Sequence, residues 1–370
     1  MKKVLALLLA LLLATSLFAQ GAQETAAAAA EPEMTYEELV AAAQAEGDLT
    51  IYTFSSRSAK VAELFEAKYG IKTTSTQLKD SEMIEKVSTE AANGVDAADL
   101  IFAQDSSRVY PELIMSGYVS NYVPAEYVDM FPAEYVDPLV YDFCNKIFAY
   151  NNENGESPVK NVWQLTEPEF AGLIQFKDPF QEGVNMNFFT MVTRDDWAAK
   201  LADAYKNLYG KDIELTTPNA GYEWIKALYK NAVLGKSDTT IAENVGAKGQ
   251  SKQLYGIFTL NKFRNNAAKN LALDVLYDME PFAGFMYPVY AQIPSNSKNT
   301  AAAKLFLHYC FTEEGWGPYA ILGDYSAKSD LVNKEDPISF SEWSEMLVIE
   351  DPVWCSEHRA DVEEFISSIM

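Results

Sequence analysis

The stretch from Gly47 to Phe65 constrains the fold most, because its hydrophobic period changes from that of a strand to that of a helix. Leu49 and Ile51 alternate within a β-branched and aromatic run, which predicts a strand. From Val61 onward the apolar residues have helical spacing. The stretch therefore predicts a β-strand followed directly by an α-helix, the repeating unit of α/β folds.

Ser55, Ser56 and Arg57 occupy the change from strand to helix. Their hydroxyl groups, guanidinium group and unpaired backbone N–H groups lie at a helix N-terminus, where the helix dipole favours an anion. The pattern predicts a ligand-binding loop. The alternative is a serine that caps the helix beside a solvated arginine, since serine caps are common.

A second change of this kind follows residues 98–103, a buried apolar run that leads directly into Asp105, Ser106 and Arg108. Because the carboxyl ends of parallel strands meet at one sheet edge, the two changes predict a parallel sheet whose helix N-termini share that edge, where ligands bind in open α/β folds. Asp105 is open to two interpretations, a ligand for an amine or hydroxyl group and a helix cap. The cap is favoured.

The rest of the chain alternates between strand and helix patterns. Predicted helices cover 35–46, 61–70, 80–92, several segments of 188–228, and 300–313. Predicted strands cover 71–76, 139–151, 172–176, 254–259, 273–279 and a return path at 282–294. The segments 124–138 and 178–187 are predicted loops.

The first residues predict export. Residues 1–19 have a short basic start, an apolar region and a small-residue cleavage site, which is typical of a signal peptide. Residues 20–34 are low in complexity and are interpreted as a flexible tether. No cysteine lies near the cleavage site, so a lipid anchor is not expected. The predicted location is the periplasm.

Composition excludes several classes of function. The formal charge of −24 disfavours nucleic acid and anionic membranes as partners. Cys144, Cys310 and Cys355 allow at most one disulfide, with Cys310–Cys355 as the possible pair, but three buried thiols are favoured. With two histidines and no Cys/His cluster at ligand spacing, neither a metal nor a cofactor is expected.

Five features together resemble the extracellular solute-binding proteins of ABC transporters, in the type II group that includes ferric-iron, thiamine, polyamine and sugar-phosphate binders. They are the export signal, the strand and Ser-Ser-Arg loop at 47–57, Ala-Ala-Asp-Leu-Ile-Phe at 97–102, Asp178-Pro179, and 288–315 with its Ile-Pro-Ser-Asn-Ser and Thr-Glu-Glu-Gly segments. Each is weak alone, but their order is specific.

The resemblance implies a two-lobed α/β fold, in which each lobe is a mainly parallel sheet flanked by helices and two crossover strands form a hinge near 143–150 and 282–287. The lobes would close around a solute, and permease subunits would recognise the closed form. A monomer is expected. The implied division is lobe 1 at 35–145 and 283–325, lobe 2 at 146–282, and C-terminal helices at 326–370 whose lobe is not assigned.

The ligand is predicted from the same resemblance. Ferric-iron binders of the group place adjacent tyrosines just after the strand that corresponds to 254–259, but this sequence has Leu-Asn-Lys there and no Tyr-Tyr pair. If the lobes align as in the family, Lys262 and Arg264 face Arg57 and Arg108. The hypothesis is an anionic organic solute with a phosphate, phosphonate or carboxylate group. The alternative for Lys262 and Arg264 is a solvated helix start.

Four further residues complete the predicted ligand-binding set. Phe258 and Tyr287 are expected to pack against the carbon skeleton of the solute. Asn185 lies in the predicted loop of 178–187, and Thr259 ends a predicted strand. A ferric-iron binder of the same family remains the first alternative. A secreted two-lobed enzyme is the alternative from another class, although the sequence has no Gly-x-Ser-x-Gly, Walker A or His-Glu-x-x-His motif.

Overall fold

The computed structural model describes residues 34–95, 98–334 and 336–370. The predicted signal peptide, and the tether except for its last residue, lie outside the described residues. Two units are separated by their contacts, one that ends at Glu38 and one from Leu39 to Met370. In the first unit Thr35 and Glu38 form a capping box: the Thr35 N–H group donates to Glu38 Oε2 at 2.9 Å, and the Glu38 N–H group donates to Thr35 Oγ1 at 3.3 Å.

Twelve strands of the described residues form one mixed sheet, whose main path has the order β2-β1-β3-β10-β5-β8-β6-β7. The strands are β1 (Asp48–Thr53), β2 (Lys72–Gln77), β3 (Leu100–Ala103), β4 (Val119–Ser120), β5 (Val140–Asn151), β6 (Ile174–Lys177), β7 (Ala232–Gly235), β8 (Tyr255–Thr259), β9 (Leu273–Val275), β10 (Gly284–Pro294), β11 (Asp324–Ser326) and β12 (Leu347–Ile349).

The sheet has two parallel parts joined by two long antiparallel strands. β1 pairs in parallel with β2 and β3, and β6 pairs in parallel with β7 and β8. β10 is antiparallel to β3 and β5, and β5 is antiparallel to β8. β5 and β10 lie where the resemblance implies the crossover strands. The exact lobe boundaries remain a prediction.

The helices follow the strands as the apolar spacing predicts. They are α1 (Tyr36–Glu46), α2 (Ser58–Tyr69), α3 (Asp80–Asn93), α4 (Ser106–Val109), α5 (Gly183–Val192), α6 (Asp195–Tyr209), α7 (Ala220–Asn231), α8 (Asp238–Gly246), α9 (Asn265–Lys269), α10 (Thr300–Cys310), α11 (Glu313–Trp316), α12 (Phe340–Met346) and α13 (Pro352–Ile369). Gly70 ends α2 in the left-handed conformation, with φ of 72°. Three predictions were wrong: α5 begins at Gly183, inside the predicted loop, α10 ends at Cys310, before the predicted end, and β9 ends at Val275, although the sequence predicts a strand to residue 279.

The core lies on β5 and β10 and around aromatic clusters beside them. Every residue of these two strands is buried. In one cluster the Phe282 ring contacts Phe188, Trp197 and Trp224, with ring centroids 5.6 to 5.8 Å apart. All three cysteines are buried and free, as the favoured interpretation predicted. Among the described residues, no helix combines the length and the apolar character needed to cross a membrane.

Candidate ligand-binding cleft

A cleft of about 720 Å³ lies at the carboxyl ends of strands from both parallel parts of the sheet. Phe54 follows β1, Gln104 follows β3, Lys177 ends β6 and Thr259 ends β8, and all four residues line the cleft. Asp80, Gly183 and Asp238, which begin α3, α5 and α8, also line the cleft. Both parts of the sheet therefore present the edge at which α/β folds bind ligands.

Seven of the ten predicted ligand-binding residues line this cleft, namely Ser55, Ser56, Arg57, Asp105, Thr259, Lys262 and Tyr287. The other three have different contacts. Ser106 donates to the buried Glu350 carboxylate, and Asn185 donates to the Lys177 carbonyl at 2.6 Å because α5 begins before it. Phe258 is fully buried in the core, since it precedes Thr259 and strand side chains alternate between faces.

Arg57 is held in place at the cleft wall by Asp324. Its Nη1 and Nη2 atoms donate to the two oxygens of that buried carboxylate at 2.5 and 3.1 Å. Ser55 Oγ accepts from Arg57 Nε at 3.3 Å, and the guanidinium lies 4.4 Å from the centre of the Tyr319 ring. Burial alone would lower the pKa of Arg57, but the Asp324 carboxylate outweighs burial and raises it. Arg57 is therefore a fixed positive charge.

Lys262 and Arg264 follow β8 and carry positive charge at the same cleft. Together with Arg57 they form the cation cluster. Arg264 Nη1 donates to the Asn261 carbonyl at 2.9 Å, and Asn261 Nδ2 donates to Asp324 at 3.4 Å, so Arg264 and Arg57 are linked through Asn261 and Asp324. Burial lowers the pKa of Lys262, Asp238 opposes this, and Arg264 and Arg57 lower the pKa further.

No ion pair joins Lys262 or Arg264 to a carboxylate of the described residues. Burial also lowers the pKa of Arg264, and the charge of Arg57 adds to the effect. A lowered pKa means that the surroundings disfavour the positive form. An anion placed between the three cations would reverse that effect, because an opposite charge at short range favours the charged form.

The Asp105 carboxylate is bound by two side chains of the protein, Arg359 of α13 and Ser107 of α4. Arg359 Nη1, from α13, donates to both Asp105 oxygens at 2.9 and 3.0 Å, and Ser107 Oγ donates to Oδ1 at 2.9 Å. The side chain accepts no capping hydrogen bond from α4, so the predicted cap is wrong. A Cβ atom on Gly183 would lie 1.7 Å from Asp105 Oδ2, so Asp105 packs directly against the start of α5.

Lys146 connects the two parts of the cleft wall contributed by α5 and α8. It is fully buried on β5, its Nζ donates to Glu182, and it lies 3.2 Å from Asp238 Oδ2. Lys177 Nζ also pairs with Glu182, at 2.8 Å. The N–H group of Thr259 donates to Asp238 at 3.2 Å. The carboxylates of Glu182 and Asp238 are therefore matched by protein cations.

Asp80 is one of the cleft residues that the sequence predictions missed, with Lys177, Glu182, Asp238 and Arg359. It begins α3, lines the cleft, and accepts hydrogen bonds from the N–H group of Gln104 at 3.2 Å and from Gln104 Nε2 at 2.9 Å. No described cation lies within ion-pair distance of its carboxylate. Burial raises the pKa of Asp80 to about 7, and the nearby carboxylates of Asp105 and Glu182 contribute. The strand-to-helix rule applied to Ser55 also applies to Asp80 after β2, so the sequence did hold a signal for it.

Two other groups near the cleft are less suited to bind a ligand. Arg108 lines the cleft but binds Glu112 through Nε at 2.6 Å and Nη2 at 2.9 Å. Asp142, Cys144 and Asp324 are the one Cys/His/Asp/Glu group of the described residues close enough to hold a metal ion, with donor atoms within 4.8 Å of one another. Burial raises the pKa values of Asp142 and Cys144, and Arg57 already binds Asp324, so this group is not arranged as a metal centre.

Solved structures with a similar fold include an iron-bound protein and two periplasmic binding proteins with organic ligands. Iron-bound HitA from Pseudomonas aeruginosa is 15% identical with a TM-score of 0.66, over 87% of this chain and 99% of HitA. AfuA from Actinobacillus pleuropneumoniae with bound fructose-6-phosphate is 20% identical with a TM-score of 0.64, over 87% of this chain and 98% of AfuA. AgtB from A. tumefaciens R10 with agropinic acid is 14% identical with a TM-score of 0.62, over 87% and 98%.

At sequence identities of 14 to 20%, the similarity to these structures shows the fold of this chain but does not identify its ligand. The chain has the two-lobed fold of type II periplasmic binding proteins, as the sequence resemblance implied. No protein family model and no curated protein matches the sequence. The similar structures hold iron, a sugar phosphate and an organic acid, so the fold alone does not specify one ligand.

Proposed function

We propose that this protein is the solute-binding component of an ABC importer, and that it captures a small anionic organic solute in the cleft. In this proposal the chain is exported to the periplasm, closes around the solute by a hinge at β5 and β10, and delivers it to the permease subunits. The observation that carries the proposal is the cation cluster, in which Arg57 is fixed by Asp324 while Lys262 and Arg264 form no ion pair with a carboxylate of the described residues.

The anionic group is proposed to bind between the cation cluster and the loop at Ser55 and Ser56. Ser56 is exposed at the cleft, and its hydroxyl and backbone N–H groups precede α2, where the helix dipole favours an anion. A phosphate, phosphonate or carboxylate group has acceptor oxygens for several donors at once, which makes charge-assisted hydrogen bonds the main source of affinity. The cleft volume of about 720 Å³ suits a small organic solute.

Ferric iron is the competing ligand, since HitA is iron-bound. Tyr287 is the one tyrosine of the described residues that lines the cleft, and burial raises its pKa well above the ordinary value, which disfavours a phenolate ligand. A positive cluster also repels a metal cation. AfuA with fructose-6-phosphate and AgtB with agropinic acid are precedents for anionic organic ligands in this fold.

The test is native mass spectrometry of the protein purified without refolding, followed by calorimetric titration of the co-purified solute. Lys262→Ala should lower the affinity by about ten-fold or more, since a hydrogen bond to a charged group contributes roughly 1.5 to 3 kcal/mol. Lys60→Ala is the control, because Lys60 is an exposed residue on α2 that pairs with Glu63 outside the cleft. Iron as the sole co-purified ligand, or equal affinities of Lys262→Ala and Lys60→Ala, would refute the proposal. Turnover of the solute would instead support the enzyme alternative.

A further inference from the structure

The cleft carries a second charged feature besides the cation cluster. Asp80 lines the cleft and is bound by two neutral donors of Gln104, the backbone N–H group and Nε2. Neutral donors orient a carboxylate but do not balance its charge. The nearby carboxylates of Asp105 and Glu182 disfavour the charged form of Asp80 further. A cation bound next to Asp80 would stabilise that charged form.

The other cleft carboxylates that are not exposed to solvent already have cations. Asp105 binds Arg359, Glu182 binds Lys146 and Lys177, and Asp238 pairs with Lys146. Asp324, behind the wall, binds Arg57. Among the cleft carboxylates of the described residues that are not exposed, Asp80 is therefore the one left for a ligand. This assignment differs from the sequence interpretation, which gave the amine-binding role to Asp105.

The cation cluster and Asp80 belong to separate contact networks. Arg57, Asp324, Asn261 and Arg264 form one chain of hydrogen bonds. Asp80 is bonded to Gln104, and no hydrogen bond or ion pair of the described residues joins it to that chain. The cleft thus has an unmatched positive site and an unmatched negative site that the protein itself does not bring together.

We infer that the solute is a zwitterion, whose anionic group binds the cation cluster while a positively charged nitrogen binds Asp80. This inference rests on the proposed function and narrows its substrate class to compounds such as aminoalkyl phosphonates, aminoalkyl phosphates and amino acids. The nitrogen donates to Asp80 in a charge-assisted hydrogen bond, which is stronger than a bond between neutral groups. The solute then places an anion at the cation cluster and a cation at Asp80. Each charged site gains an opposite charge, which removes the free-energy cost of an unpaired charge there.

The experiment compares matched ligands that differ only in the nitrogen. Unliganded protein is titrated at pH 8 with ω-amino phosphonates and ω-amino carboxylates of two to five carbons, each alongside its unsubstituted parent, for example 3-aminopropylphosphonate and propylphosphonate. The titrations are repeated with Asp80→Asn, which keeps the shape and an acceptor oxygen for Gln104. Glu82→Gln is the matched control, because Glu82 is an exposed carboxylate of the same helix that lines the same cleft.

The amino compound should bind at least ten-fold more tightly than its parent for one or more chain lengths. Asp80→Asn should remove about ten-fold of that preference and leave the parent's affinity within about two-fold, whereas Glu82→Gln should leave the preference unchanged. Equal binding of both compounds, or equal effects of the two variants, would overturn the zwitterion inference and leave the anionic solute standing. Failure of every compound in both series to bind would also overturn the zwitterion inference, whereas the proposed function is overturned by iron as the sole co-purified ligand. A thermal melt of Asp80→Asn checks that the variant is folded.

Discussion

Replacement of Lys146 by methionine should destabilise the protein more than the loss of any exposed cation at the cleft. Lys146 is fully buried on β5 and neutralises both Glu182 and Asp238. Methionine keeps most of the side-chain volume but leaves the two carboxylates without their shared cation. Lys177 still pairs with Glu182, so Asp238 is the carboxylate that is left without an ion-pair partner.

The size of the effect follows from the cost of an uncompensated buried charge. Removal of one partner from a buried ion pair costs about 3 to 5 kcal/mol of the free energy of unfolding. Because the entropy of unfolding is about 2.1 cal/mol/K per residue, roughly 330 residues give about 0.7 kcal/mol/K, so Tm should fall by about 4 to 7 °C. Lys177→Met is the matched control: Lys177 is one-fifth exposed, Glu182 keeps Lys146 in that variant, and the expected loss is under about 1 kcal/mol.

The pH dependence separates this electrostatic cost from a packing defect. Burial tends to raise the pKa of Asp238, but Lys146, Lys177 and Lys262 outweigh it and lower the pKa below 3.8. A lowered folded-state pKa gives stability that is complete above the unfolded value of 3.8 and is lost as the pH falls through the folded value. The difference between wild type and Lys146→Met should therefore be constant from pH 5 to 8 and narrow below about pH 4.

The assay is urea unfolding followed by tryptophan fluorescence at pH 7 and at pH 3.5, with Lys146→Met, Lys177→Met and the double variant Lys146→Met/Asp238→Asn. The double variant should recover at least about 1 kcal/mol of the loss, because it removes the stranded charge. A loss that is equal at both pH values, or a double variant no more stable than Lys146→Met, would show that the cost is one of packing and would refute the charge argument.

Three further predictions concern stability and reactivity. Burial raises the pKa of Asp80 from 3.8 to about 7, so the free energy of unfolding of the wild type should fall as the pH rises from 4 to 7. In urea unfolding, Asp80→Asn should be more stable than wild type by up to about 4 kcal/mol at pH 8 and equally stable at pH 3.5. A difference between the two proteins that is the same at both pH values would contradict this. Gly183→Ala places a Cβ atom against Asp105 and should cost about 1 to 3 kcal/mol by urea unfolding, and an unchanged midpoint would contradict the packing. Cys144 and the other two thiols should react with a disulfide reagent only in denaturant, because burial raises the pKa of each thiol; rapid labelling of native protein would count against their burial.

The order of strands and helices could be predicted because its signals are local. The strand at β1, the helix at α2 and the glycine that ends it follow from residue type and spacing within a few positions. The long apolar run at 139–151 is β5 because a strand buried on both faces needs no alternation. The edge at which the cleft opens also followed, since parallel strands put their carboxyl ends together.

The facing of individual side chains was harder to predict. Gly183 and the preceding Pro179 predict a loop at Asn185, but α5 begins at Gly183 and turns the Asn185 amide to the Lys177 carbonyl. Phe258 and Thr259 are neighbours on β8, so only one of them can face the cleft, and the sequence alone did not say which.

Asp105 shows why the chemistry of the cleft needed the structure. A capping rule considers partners within one helical turn, and on that scale the first turn of its own helix is the natural partner for Asp105. The observed partner is Arg359, which α13 brings to Asp105 from 254 positions away. A charged partner outcompetes a backbone N–H group, because two charges strengthen the hydrogen bond. Because Arg359 pairs with Asp105, the carboxylate available to a cationic group of the solute is that of Asp80. A contact from the C-terminal helix α13 therefore determines which carboxylate can bind the solute.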